Sequence, residues 1–292
     1  MPPDTLPYPL PVITGFGARL TKLIPMAWQD LARHLSDRFI GERHRLEITH
    51  PVLTIDLGPD APKEVRIGLL ADFHFDPLCE DEFVARCVAT LNDLHPDVIF
   101  LLGDFASHDP SPISALIQQL EALRPPHGIY AILGNHDYIA GEEEIVRTLD
   151  SAGLRVLRNE FLRLSLPDGE LAIAAMDSAT YRCPDFSRLD QCGPNERAIV
   201  LCHEPDVFVH ASLHPKTALQ LSGHTHGGQV ILPGIGSPLL PRLGKLFVNG
   251  HHRRNDTDLY VNRGIGTGHL HVRFGATPEI TLMTVRNSGR VD

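Results

Sequence analysis

From residue 63 onward, the sequence alternates between short apolar runs and segments with helical periodicity. The runs have the length of buried strands and read VRIGLLA, DVIFLLG, IYAILG, LAIAAM, RAIVLC, ALQLSG, LYVNRGIG and EITLMTV. Helices are predicted between the first three runs, because apolar residues share one face from Phe83 to Leu94 and from Ile113 to Leu123. Such crossover connections indicate an α/β fold with a largely parallel sheet covered by helices.

Composition limits the functional classes that fit the chain. The formal net charge of -10 argues against a nucleic acid as partner, because affinity for a phosphate backbone comes from Lys and Arg. The sequence has no apolar run of about 18 residues, so we expect no membrane-spanning helix. Its five cysteines are odd in number and lack CxxC spacing, which is typical of a reduced, cytoplasmic protein.

Residues 1–57 are predicted to form an amphipathic helical extension. Apolar residues recur at steps of three and four from Ile13 to Phe39, and Pro25 should kink the helix. This pattern has two interpretations: packing on the chain's own domain, or peripheral contact of residues 11–40 with the inner face of a membrane. We expect one domain over residues 58–286 and a flexible tail over residues 287–292.

Metal-competent side chains follow five of the predicted strands. They are Asp72 and His74, then Asp104, then Asn135 with His136 and Asp137, then His203, and finally His224 and His226. In open α/β sheets, sites form beyond the carboxyl ends of the strands, so these residues should meet in one crevice. Buried carboxylates and imidazoles would be costly there without cations. The pattern therefore predicts a metal site.

The ordered set D-x-H, GD, GNHD, H and GHTH resembles the calcineurin-like metallophosphoesterases over about residues 64–285. The stretches GGQ, NRGIGTG and RFGATPEI are similar to a bacterial branch that contains membrane-associated phosphodiesterases. The resemblance implies an α/β/β/α sandwich of two mixed sheets flanked by helices. The sequence departs from the family at Ser107, where many members carry an acidic residue.

The resemblance also implies two divalent metal ions and assigns their ligands. Asp72, His74 and His226 would hold one ion, Asn135, His203 and His224 the other, and Asp104 would bridge them. Oxygen and imidazole donors without thiolate suit Mn, Fe, Zn or Co, with Mn favoured here. A hydroxide shared by the ions would attack phosphorus.

Two further residues are predicted to act in catalysis. His136 would stabilise charge or protonate the leaving oxygen, and Asp137 would orient its ring. The alternative interpretation makes His136 a packing residue.

The predicted activity is that of a phosphodiesterase or pyrophosphohydrolase acting on a small or lipid-linked substrate. Alternatives are a phosphomonoesterase or phosphoprotein phosphatase, and a non-catalytic metal-binding scaffold at a membrane. The apolar loop over residues 227–250 would either contact acyl chains or pack on the second sheet. Candidates for binding a phosphate or diphosphate are Arg242, Lys245, Arg253, Arg254 and Arg263.

Overall fold

The computed structural model describes residues 44–76, 81–268 and 270–290. The predicted amphipathic helix over residues 11–40 lies outside these ranges. The described strands are β1 (Glu47–Thr49), β2 (Val52–Ile55), β3 (Glu64–Leu70), β4 (Val98–Leu101), β5 (Ile129–Ala131), β6 (Arg155–Val156), β7 (Glu160–Leu166), β8 (Gly169–Ala175), β9 (Ala198–Leu201), β10 (Thr217–Ser222), β11 (Gly250–Arg254), β12 (Thr257–Val261) and β13 (Glu279–Asn287). The helices are α1 (Asp81–Asp93), α2 (Ile113–Leu120), α3 (Asn135–Ala140), α4 (Glu142–Ser151) and α5 (Phe208–Ala211).

The strands form two mixed sheets, as predicted. The seven-stranded sheet has the order β1-β13-β3-β4-β5-β6, with β2 also paired to β13, and the six-stranded sheet has the order β11-β12-β10-β9-β8-β7. Strands β3 to β6 run parallel, as do β8, β9, β10 and β12. The parallel strands therefore send their carboxyl ends to a common edge in each sheet.

Alternating side chains divide the core into layers. In β4, Val98 and Phe100 pack between the two sheets, whereas Ile99 and Leu101 pack under α1, α2 and α4. This alternation follows from the two-residue repeat of a strand, which sends neighbouring side chains to opposite faces. Because both faces are covered, the strand is apolar throughout, and its sequence could be recognised as a buried strand.

The first sheet begins within the segment that was predicted to be a helical extension. Residues 47–49 and 52–55 form β1 and β2, and both run parallel to β13. Their side chains are largely exposed on one face, so neither strand shows the apolar run of a buried strand. Asn287, predicted to start the tail, ends β13, and its side chain accepts a hydrogen bond from the Leu57 N–H at 3.0 Å.

The strands β6, β7 and β11 were also missed, because their side chains are mostly exposed or only partly buried. None of the helices within the described ranges combines the length and the apolar composition that a bilayer span needs.

Candidate metal centre

The predicted ligands lie together where strand ends of both sheets meet. Ligand atoms within 4.8 Å of one another define three overlapping groups of buried residues. The groups are Asp72 with His74 and His226, His74 with Asp104 and His136, and Asp104 with His203 and His224. Asn135 lines the same cavity. All seven predicted ligands and His136 are therefore brought into one site.

Asp104 joins the two halves of this site. Its Oδ2 atom lies 3.1 Å from Nε2 of His203 and 3.3 Å from Nε2 of His74. The carboxylate of Asp72 accepts a hydrogen bond from the backbone N–H of His224 at 2.8 Å, which ties the loop after β3 to the loop after β10. The two sheets are thus locked together at the ligands themselves.

Five of the predicted ligands have left-handed backbone conformations. Their φ angles are 52° for Asp72, 44° for His74, 55° for Asp104, 78° for His224 and 53° for His226. Residues other than glycine rarely adopt positive φ, and each such residue costs on the order of 1–3 kcal/mol. Backbone strain is therefore found at the predicted metal ligands, where the surrounding loops hold these conformations.

Glycines beside the ligands allow the loops to pack backbone to backbone. A Cβ atom on Gly134 would come within 2.2 Å of Oδ1 of Asp104, and one on Gly103 would come within 2.4 Å of the Gly134 nitrogen. Any larger residue at these positions would push the loops after β4 and β5 apart. The GD and GNHD motifs therefore need their glycines for steric reasons.

Asp137 supports the backbones of the loops around the site. Its two carboxylate oxygens accept hydrogen bonds, at 2.7–3.2 Å, from the backbone N–H groups of Asp104, Phe105, Ala106 and Gly134. These hydrogen bonds fix the position of the loop after β4 relative to the loop after β5. Asp137 was predicted to orient the imidazole of His136, whereas the hydrogen bonds described here go to these backbone donors.

The ring of His136 is oriented by Ser107. Its Nδ1 atom lies 2.8 Å from the carbonyl oxygen of Ser107, which can only accept, so Nδ1 carries the proton. The hydroxyl of Ser107 also donates to the carbonyl of His74 at 3.1 Å. The residue that departs from the family pattern therefore links the His136 ring to the loop that carries His74.

Two buried acceptors at this site fit a metal ion. The Nδ1 atom of His203 donates to the Leu102 carbonyl at 2.6 Å, and Nε2 of His224 donates to the Arg242 carbonyl at 2.7 Å. Nδ1 of His224 and Oδ1 of Asn135 are buried without a hydrogen-bond partner in the described structure, and Nε2 of His203 faces the Asp104 carboxylate at 3.1 Å. A carbonyl acceptor on one ring nitrogen is the usual way of turning the other lone pair toward a cation.

The pKa values of Asp104, His224 and His226 agree with ligand chemistry, whereas, against the opposing effect of burial, Asp104 raises the pKa of His203 well above its usual value. Burial opposes the charged form of Asp104, but His203 and His136 lower the pKa of this carboxyl well below its usual range. Burial and His74 lower the pKa of His226 well below its usual value, and burial and His203 lower that of His224. At neutral pH the carboxylate is therefore ionised and these two imidazoles are neutral, the forms that bind metals.

Arg273 is a supporting residue that the sequence did not reveal. Its fully buried guanidinium donates, at 2.6–3.3 Å, to the carbonyls of His226, Arg263, Gly264, Gly266 and Ala276. Burial lowers its pKa to about 10, so the group remains charged at neutral pH. Arg273 therefore fastens the turn that carries His226 to the loop after β12. The RFGATPEI stretch contains this residue, but nothing local distinguishes a buried arginine from an exposed one.

Glu204 was also missed. Its buried carboxylate accepts from the Ser178 hydroxyl at 2.5 Å and from the backbone N–H groups of Ala179 and Thr180 at 3.0 and 3.2 Å. Burial acts to raise the pKa of Glu204, but His203 and His224 lower it. The carboxylate therefore anchors the loop after β8 directly behind His203, next to which it lies in the sequence.

A cavity of about 470 Å³ opens beside the site. The described residues that line it include His74, Asp104, Asn135, His136, His224 and His226, and none is Lys or Arg. The five basic residues predicted to bind phosphate are therefore absent from this lining. Arg263 instead pairs with Glu279, its Nε atom lying 2.7 Å from the carboxylate.

Comparison with known proteins identifies the family. The calcineurin-like phosphoesterase superfamily domain matches residues 65–287. The chain is 34% identical to the uncharacterized metallophosphoesterase YkuE of Bacillus subtilis over 252 residues, which cover 85% of this chain and 88% of YkuE. It is 30% identical to YkoQ of the same organism, over 83% of this chain and 92% of YkoQ.

A third relative carries a named activity. The phosphodiesterase YaeI of Escherichia coli is 30% identical over 228 residues, which cover 75% of this chain and 81% of YaeI. The superfamily match spans most of the chain and includes all of the clustered residues. The chain therefore belongs to the calcineurin-like phosphoesterase superfamily and is a metal-dependent phosphohydrolase.

Proposed function

We propose that this protein is a dinuclear phosphodiesterase or pyrophosphohydrolase. The observation that carries the proposal is the buried cluster of carboxylate and imidazole groups around Asp104, together with two buried acceptors, Asn135 Oδ1 and His224 Nδ1, that have no hydrogen-bond partner in the described structure. Leaving two such atoms unpaired costs free energy unless a cation binds them. Both belong to the residues that we assign to the second ion, and Asp104 lies in one cluster with His203 and His224.

The ligand assignment follows the clusters. Asp72, His74 and His226 would hold one ion, Asn135, His203 and His224 would hold the other, and Asp104 would contribute to both. Bound there, two divalent cations supply a lowered water pKa and neutralise charge on the phosphoryl oxygens. The donors suit Mn, Fe, Zn or Co, and we expect Mn to support activity.

We assign His136 the role of protonating the leaving oxygen of the substrate. Its ring stands edge-on to His74, with centroids 4.6 Å apart, and lines the cavity. Because the Ser107 carbonyl holds the proton on Nδ1, Nε2 is the nitrogen assigned to deliver a proton to the leaving oxygen. Asp137 acts indirectly, by holding the loop that presents Asn135 and His136.

The cavity favours a diester over a monoester. Apolar side chains such as Leu239 and Leu240 line the cavity beside the candidate ligands, where they can contact the second ester group that a diester has and a monoester lacks. A non-catalytic metal-binding scaffold is disfavoured because every ligand position of the family pattern carries a residue that can bind a metal ion.

Metal analysis followed by turnover of bis-p-nitrophenyl phosphate and p-nitrophenyl phosphate tests the proposal. We expect two metal equivalents per chain and a higher kcat/KM for the diester in Mn²⁺. A higher kcat/KM for the monoester would indicate a phosphomonoesterase or phosphoprotein phosphatase instead. Protein that stays metal-free and inert in excess Mn, Fe and Zn would overturn the proposal.

The N-terminal segment leads to a separate prediction, peripheral membrane contact through residues 11–40. Liposome flotation of the whole chain and of a variant lacking residues 1–43 tests it, because this deletion leaves β1 intact. Equal flotation of both forms would exclude the segment as a membrane anchor.

A further inference from the structure

One wall of the cavity beside the metal centre is apolar. It is formed by Val230, Pro238, Leu239, Leu240, Pro241 and Leu270, which we call the apolar wall. Leu239 is 75% exposed and Leu270 is 41% exposed although both line this cavity. Large apolar side chains left open to water beside a polar site indicate a surface that an apolar group can cover.

The loop that bears this wall is anchored to the metal-binding turn. The carboxylate of Asp206 accepts hydrogen bonds, at 2.9–3.2 Å, from the N–H groups of Lys245, Leu246 and Phe247. The hydroxyl of Ser237 donates to the carbonyl of Gly228 at 2.6 Å. Within the same loop, the Arg242 carbonyl accepts from His224. The apolar residues are therefore held at a set position relative to the candidate ligands.

The charges of the cavity restrict what this wall can bind. Among the described residues of the lining, the groups that can carry positive charge are imidazoles, and these belong to the metal centre or to His136. A second phosphate, as in a diphosphate or a phosphorylated nucleotide, would lie against apolar side chains without a charged partner. Burying an unpaired charge is far more costly than burying a hydrocarbon group.

We propose that the apolar wall binds a hydrocarbon substituent of the substrate, so that the substrate class is a phosphodiester monoanion with one alkyl or acyl-bearing alcohol. This inference rests on the proposed function, since it places a phosphodiester at the metal centre, and it favours the phosphodiesterase over the pyrophosphohydrolase. Each methylene that leaves water on binding should strengthen transition-state binding by up to about fourfold.

A series of p-nitrophenyl alkyl phosphates tests the inference with the whole, Mn-loaded protein. We expect kcat/KM to rise by roughly two- to fourfold per methylene from the methyl to the octyl ester, below the micellar concentration. A flat or falling series, with the methyl ester still hydrolysed, overturns the inference alone. Loss of turnover on every ester, including bis-p-nitrophenyl phosphate, would instead overturn the proposed function.

Two variants locate the effect. Leu239→Ser should lower the ratio of octyl to methyl ester turnover, whereas Leu213→Ser should not, because Leu213 is 65% exposed and does not line the cavity. If Leu239→Ser keeps the wild-type ratio of octyl to methyl ester turnover, the apolar wall does not bind the alkyl group of the ester. The hydrocarbon substituent could belong to a lipid in a bilayer or to a free amphiphile, and a diacyl p-nitrophenyl phosphodiester in phosphatidylcholine vesicles separates the two. Hydrolysis of this lipid would show that the substrate is a bilayer lipid. Turnover of the soluble octyl ester without hydrolysis of the lipid would show that it is a free amphiphile.

Discussion

The Nε2 atoms of His74 and His226 lie 3.0 Å apart, although the residues are 152 positions apart in the sequence. Two imidazoles that meet through these nitrogens can share one proton or one cation. Burial and the neighbouring His74 disfavour a proton on His226, since they lower its pKa well below the usual value. The pair is therefore suited to a shared metal ion, as the ligand assignment requires.

Replacing the central carboxylate should abolish metal binding. Asp104→Asn keeps the shape of the side chain but removes the charge that faces His203 and His74 at 3.1 and 3.3 Å. Loss of even an indirect partner of a metal ligand reduces affinity by about 10- to 100-fold, so we expect a reduction of at least roughly 100-fold here. Metal titration with calorimetry or elemental analysis measures it. Wild-type stoichiometry and affinity in the variant would contradict the assignment of Asp104.

His136→Ala should reduce turnover without emptying the metal centre. General acid catalysis typically contributes about 10²- to 10⁴-fold, and kcat should fall within this range. The readouts are kcat on bis-p-nitrophenyl phosphate and metal content of the same preparation. Normal kcat would remove the catalytic role of His136, and lost metal would reassign it as a ligand.

Arg273→Met should destabilise the protein strongly. The substitution leaves the carbonyls of residues such as His226 and Gly266 buried without their donor. Each buried acceptor left without a donor costs about 1–3 kcal/mol, so the loss of several should lower the free energy of unfolding by at least roughly 3 kcal/mol. Urea unfolding measures the change, with the exposed Arg254→Met as the matched control. Equal stability of the two variants would show that the guanidinium network contributes nothing.

Glu279 should make stability dependent on pH. Burial acts to raise its pKa, but Arg263 and the hydroxyl of Tyr260 lower it below the usual value. The carboxylate is stabilised more in the folded chain than in the unfolded one. This contribution is complete above the ordinary glutamate pKa of about 4.3 and is lost as the pH falls through the lowered folded-state pKa.

The variant Glu279→Gln isolates this contribution. It should lower the free energy of unfolding by about 1–3 kcal/mol at pH 7, because the hydrogen bonds to a charged acceptor are lost. The difference from wild type should shrink as the pH falls below the ordinary glutamate pKa of about 4.3, because the unfolded wild-type chain takes up a proton before the folded one. Urea unfolding at pH 7, 5 and 3 measures it. A difference that stays constant across this range would rule out the charge of Glu279 as its cause.

Sequence alone was sufficient to predict the buried strands and the residues that gather at their ends. In β3 and β4, apolar runs covered on both faces are directly visible in the sequence, and parallel strands must send Asp72 and Asp104 to one edge. The family resemblance added the division of the residues between two ions. The apolar runs and the family motifs are both short stretches of sequence, so they can be recognised without knowledge of the tertiary structure.

Tertiary structure alone decided how the site is supported. Asp137 follows His136 directly, yet its carboxylate serves four backbone donors on the loops after β4 and β5, while the carbonyl of Ser107 orients the imidazole. The exposed strands β1 and β2 are recognisable only through their pairing with β13. Whether Arg273 is buried depends on which segments fold over it. Hydrogen-bond partners and burial are set by contacts between distant parts of the chain, and no local pattern of residue types encodes them.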